Sequence, residues 1–89
     1  MEDVIPDSVT LANGTFWECS ALTTLPENFY VGENVTDLGN IFSLCYNLTD
    51  EITINCNPTI YDNAIYQTQV TGINGSCNAV TKQNIMATK

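Results

Sequence analysis

Val35-Thr36-Asp37-Leu38-Gly39-Asn40-Ile41-Phe42-Ser43-Leu44-Cys45-Tyr46-Asn47-Leu48-Thr49 is the stretch on which the reading of this chain turns. Its landmarks also stand 26 residues earlier, as Val9-Thr10, Phe16, Cys19 and Leu22-Thr23. The six matches share one register and span β-branched, aromatic and thiol side chains. A small single-domain enzyme has no reason to repeat an aromatic and a cysteine at a fixed period. A stack of repeats has one, because each unit buries its apolar edge only against the next copy.

The same residues resemble a known family. Cys19-Ser20-Ala21-Leu22-Thr23-Thr24-Leu25-Pro26, preceded by Phe16 and followed by Phe29, is similar to the BspA-type leucine-rich repeat. So is the phrase from Asn34 to Thr49. The resemblance covers roughly residues 8–54 and departs from the family in copy number, with two good units rather than an array. It implies a surface protein of bacteria or protists, or a phage fibre protein. The period also lies in the leucine-rich-repeat range, where each unit supplies one short strand to a curved sheet. The expected fold class is mainly β with short helical turns: a small leucine-rich-repeat-like solenoid of two to three rungs. Its repeat core is expected to hold Phe16, Cys19, Leu22, Phe42, Cys45 and Leu48.

One domain is expected over residues 1–89, with units at about 8–33 and 34–54. A degraded third unit at 67–89 echoes the phrase through Val70-Thr71-Gly72-Ile73 and Ser76-Cys77-Asn78-Ala79-Val80-Thr81. Residues 55–66, with Pro58, three Asn and two Tyr, read as an insertion looping out of one face. Strands are expected at Leu22–Leu25, at Leu48–Ile54 and at Tyr66–Ile73, from apolar-polar alternation. Leu38–Leu44 reads as a single helical turn, and Asn78–Ala87 fits a short helix. Two or three rungs make a poor core with both ends open, so stability is expected to draw on a partner, self-association or disulfides.

Ten acidic residues face two lysines, Lys82 and Lys89, for a net charge of −8. No basic cluster exists to grip a phosphate backbone, which excludes nucleic acid as a partner. Anionic membrane surfaces are disfavoured for the same reason. The acidity reads as a solubility device. Calcium at Asp50-Glu51 or Asp62 is the sharper alternative, but the spacing of a calcium loop is missing.

The chain has no His, which removes the usual general base and the commonest metal ligand. No catalytic residue, metal ligand or cofactor is therefore expected, and no enzyme activity. Four cysteines allow two disulfides in three connectivities. The repeat favours instead a free-thiol ladder through Cys19 and Cys45, each serving as a small apolar core residue. No C-x-x-C occurs, so the zinc-ribbon and thioredoxin signatures are missing.

Four glycosylation sequons begin at Asn13, Asn34, Asn47 and Asn74. Two fall inside the repeat phrase, which explains them without a glycan. Met1-Glu2-Asp3-Val4-Ile5-Pro6 lacks the basic start and apolar run of a secretory signal, and no stretch is long enough to span a membrane. Abundant Asn and Thr suit extracellular β-rich proteins. Phe16 and Phe42 repeat and read as core. Trp17, Tyr61 and Tyr66 are the expected interface, because Tyr and Trp are enriched where proteins meet.

The expected function is a non-enzymatic structural or binding module of an extracellular assembly. That means a virion component (phage fibre or tail) or a cell-surface adhesion component that oligomerises through its repeat ends. Expected partners are other proteins or copies of itself, with a host-surface protein or glycan as a further candidate. A small disulfide-stapled secreted effector or inhibitor is the alternative.

Overall fold

The computed structural model describes residues 5–89, so most of the segment read for an export signal, Met1–Val4, lies outside the described residues. Alternate amides of the segment 38–45 serve two different ends. The N–H groups of Leu38, Asn40, Phe42 and Leu44 donate to the carbonyls of Ile60, Asp62, Ala64 and Tyr66 at 2.7–2.9 Å. Between them, Ile41, Ser43 and Cys45 donate to Leu38, Asn40 and Phe42, three residues back, at 3.1–3.3 Å. One pass earlier the pattern is the same. Ala12, Gly14, Phe16 and Glu18 reach across to Asp37, Gly39, Ile41 and Ser43, while Thr15, Trp17 and Cys19 close local turns.

A backbone that alternates in this way is neither helix nor strand. It needs a left-handed residue at every fourth position: Gly14 and Glu18, then Asn40 and Leu44, then Asn63 and Gln67, with φ between 54° and 68°. Glycine and asparagine enter that region at little cost. Glu18, Leu44 and Gln67 do not, and they are held there by the cross-pass bonds on either side.

Three passes of chain are thereby laid side by side in parallel. Ile5 bridges Val31 and Leu11 bridges Asp37, while Val31 bridges Ile54 and Asp37 bridges Ile60. The offset is thus 26 residues from the first pass to the second and 23 from the second to the third. The difference arises in one place. Eight residues separate Thr23 from Val31, but five separate Thr49, whose N–H donates to the Thr23 carbonyl, from Ile54. The extra three lie in the turn at Pro26–Phe29, which delivers the Phe29 ring to the core.

Regular strand is confined to β1 (Glu51–Thr53) and β2 (Gly72–Asn74), paired in parallel with Ile52 opposite Ile73. The helix α1 (Ala79–Met86) follows and packs on β2. Thr81 and Ile85 are its buried residues, and the Ile65 N–H donates to the Thr88 hydroxyl just past its end.

This architecture corrects the expected fold class. Two three-residue strands and one helix do not make a mainly β leucine-rich-repeat-like solenoid of two to three rungs. The strand expected at Leu22–Leu25 is missing because its amides are used elsewhere. Leu22 N–H closes a turn on Cys19 and Leu25 N–H donates to the Asp50 carboxylate, while Pro26 has no N–H to give. The strand expected at Leu48–Ile54 shrinks to β1. Of the strand expected at Tyr66–Ile73, Tyr66 and Gln67 lie in a turn with Gln67 left-handed, residues 68–71 are irregular, and β2 starts only at Gly72. Leu38–Leu44 is not a helical turn, since Asn40 and Leu44 break it with positive φ. Residues 55–66 are not a protruding loop. They are the start of the third pass, with Cys56, Pro58, Ala64 and Ile65 buried. The short helix expected within Asn78–Ala87 forms as α1.

The core is built on aromatic stacking. Phe16 and Phe42 lie face to face at 5.0 Å with 5° between their planes. Phe29 meets both edge-on, at 6.1 and 6.2 Å. Such pairs add about 0.5–1.5 kcal/mol beyond the area they bury. Phe42 is fully enclosed, and so are Leu38, Leu48, Ile52, Ile65, Val70 and Ile85 among others.

Candidate functional site

Backbone register puts side chains of successive passes into columns about 4.8 Å apart. One column, fixed by bridges, is Leu11, Asp37 and Ile60. A second follows from the bonds Glu18 N–H to Ser43 and Leu44 N–H to Tyr66: it holds Trp17, Ser43 and Tyr66. Leu11 is 64% exposed, Trp17 52%, Ile60 49% and Tyr66 40%, whereas Ser43 is buried between its two aromatic neighbours. Four of the six large exposed apolar side chains among the described residues therefore stand in two columns.

Between the columns runs a shallow groove of about 420 Å³, lined by Asn13, Trp17, Asp37, Asn40, Ile60 and Asp62, with Gly14 and Gly39 beneath. The glycines form its floor. A Cβ on Gly14 would lie 3.7 Å from the Trp17 ring. One on Gly39 would come within 3.1 Å of the Asp37 carboxylate and 3.7 Å of Ile60. The Asp37 carboxylate accepts the Gly39 N–H at 2.8 Å and is thereby oriented.

Of the three residues expected at an interface, Trp17 and Tyr66 share a column. Tyr61 does not join them: it is half-buried and packs on the core, in register with Leu38. Leu11, Asp37 and Ile60 escaped the sequence reading. Their signal is a spacing of 26 followed by 23, which a fixed period cannot find.

The expected repeat core divides. Phe16, Phe42, Cys45 and Leu48 are buried and Leu22 is partly so, but Cys19 is exposed. The ladder of two buried thiols is thus corrected, because among the described residues no pass lies over Cys19 to cover it. The Cys45 thiol donates to the Phe16 carbonyl at 2.9 Å. Cys56 and Cys77 are buried too, and all four cysteines are free. Burial pushes the thiols of Cys45 and Cys77 up, and that of Cys56 to about 11. These three are protonated near neutrality and poorly suited to nucleophilic attack.

A second groove, about 350 Å³, lies between the Leu25–Phe29 turn and the acidic pair Asp50-Glu51. Its carboxylates serve the chain itself. Asp50 accepts the N–H groups of Leu25 and Glu51, and Glu51 accepts the Asn74 amide. Among the described residues no three His, Cys, Asp or Glu side chains are grouped to hold a metal ion. No helix there is long and apolar enough to cross a membrane. Comparison of the chain with protein-family models, with curated proteins and with solved structures gave no match.

Proposed function

We propose that this chain is a non-enzymatic binding module of an extracellular assembly, a cell-surface adhesion component or a virion part such as a phage fibre or tail. It meets protein through the face that carries Leu11, Trp17, Ile60 and Tyr66. The observation behind this reading is the placement of those four exposed apolar side chains in two columns fixed by backbone hydrogen bonds. A rigid surface of this kind loses little entropy on docking, and exposed aromatic clusters mark interaction sites. The Asn- and Thr-rich composition and the BspA-like phrase support the extracellular setting. The face carries the contact better than the end of the stack that bears α1, where Thr81 and Ile85 are buried and α1 packs on β2.

Light scattering from 10 μM to 1 mM, under reducing conditions, tests the self-assembling form of this reading. The expected result is a rise in mass with concentration that the double substitution Trp17→Ser and Tyr66→Ser removes while circular dichroism is unchanged. A wild-type mass that stays at one chain throughout rules out self-assembly through this face. It leaves only docking of a different protein, for which the groove provides a separate test.

A further inference from the structure

The groove has a chemistry of its own, and the inference drawn from it rests on the reading of this face as a binding surface. We propose that the groove receives a cationic side chain, a guanidinium or ammonium group presented by a basic segment of a partner protein. Three features point there. Trp17 lies over the Gly14 end of the floor with half its surface exposed, and an indole face attracts cations through its quadrupole. Asp37 and Asp62 line the same groove. Asp37 uses one oxygen to accept the Gly39 N–H, and neither its other oxygen nor the Asp62 carboxylate has a hydrogen-bond partner among the described residues. Finally, the glycine floor leaves the space between ring and carboxylates open, since a Cβ at Gly39 would project against Asp37 and Ile60.

Charge selects the occupant. The chain carries −8, and its two lysines, Lys82 and Lys89, belong to α1 and the residues after it, outside the groove. A second copy of this chain would bring another −8, so self-contact through this face is apolar, strengthens with salt and leaves the acidic groove itself to a basic partner. A basic partner is attracted from a distance and then held by the groove.

Trp17 is the only tryptophan, so its fluorescence reports this groove alone. The test titrates the full chain with N-acetyl-arginine amide, and with N-acetyl-citrulline amide as a neutral isostere and methyl glucoside as a neutral sugar. Amide chemical shifts of Gly14 and Gly39 provide a second readout. Arginine amide is expected to give a saturating change that citrulline and glucoside do not, weakening in 0.5 M salt. Asp62→Asn and Asp37→Asn should each weaken it about two- to fivefold, as loss of one partly exposed charge does. Gly39→Ala should block it in a chain that remains folded. Equal responses to arginine and citrulline, a response to the sugar alone, or none at all would overturn the proposal. Scattering mass, measured on the same samples, reports association independently, so an empty groove on a self-associating chain refutes the cation site and leaves the face intact.

Discussion

The four cysteines show how far a side chain's chemistry depends on which pass it occupies. Cys19 and Cys45 hold equivalent places in the repeat, yet the first is exposed and the second is sealed under its neighbour. A thiol reagent applied to the native protein should modify one cysteine rapidly, and all four only in denaturant; counting modified thiols by mass checks this. Cys56 makes a second prediction. Burial raises its folded pKa to about 11 from an ordinary value of 9.0, so folding favours the protonated thiol. Its stabilising contribution is complete below about pH 9 and is lost as the pH rises towards 11. Thermal melts at pH 8 and 10.5 should therefore diverge, and Cys56→Ala should narrow the gap. Cysteine burial was only half legible in the sequence. The period marks equivalent positions, but it does not reveal which of them has a covering neighbour.

At the scale of the element, the unit is a turn segment with two left-handed residues four apart, not a strand. Gly14, Asn40 and Asn63 advertise the first of these positions by their residue type. Glu18, Leu44 and Gln67 give no hint of the second, because context imposes it on residues that do not favour it. For this reason the alternation around Tyr66 resembled a strand and Leu38–Leu44 resembled a helix. Glu18→Gly relieves the strain at an exposed position and is expected to stabilise the fold by about 0.5–1 kcal/mol, net of glycine's extra unfolded-state entropy. Chemical denaturation at constant m-value measures it. A loss of stability would mean that the Glu18 side chain contributes more than its backbone costs.

For the whole molecule, the two aligned copies were readable, while the third unit expected at 67–89 is displaced: the third pass begins at Ile54. The pass that begins at Ile54 has neither the Phe nor the Cys of the phrase, placing Ile65 and Thr68 where Phe42 and Cys45 stand. It is also offset by 23 rather than 26 residues, so a search at one period misses it. The interface columns share that blind spot in part, since a third of their members, Ile60 and Tyr66, belong to this pass. Eight side-chain carboxylates among the described residues, on a structure 27 × 26 × 19 Å across, repel one another. Screening lengths fall from about 30 Å at 0.01 M salt to about 3 Å at 1 M. The melting temperature should accordingly rise as sodium chloride is increased from 10 to 500 mM, which differential scanning calorimetry records. A flat response would show that carboxylate repulsion is a minor part of the balance.

The alternating amides of residues 12–19 and 38–45 have a further consequence, which is one of parity. A slip of one residue would send every outward N–H inward, and would ask Ile41 and Cys45 to take up the left-handed backbone that Asn40 and Leu44 now hold. Such a slip is costly, because β-branched Ile41 would be a true outlier there, and a slip the other way restores no outward N–H either. The next offset that restores the pattern is four residues away, far outside thermal sliding. Each pass thus behaves as a word of fixed length whose misreading is detected at once, and changes in length are tolerated only in the spaces between words, as at Pro26–Phe29.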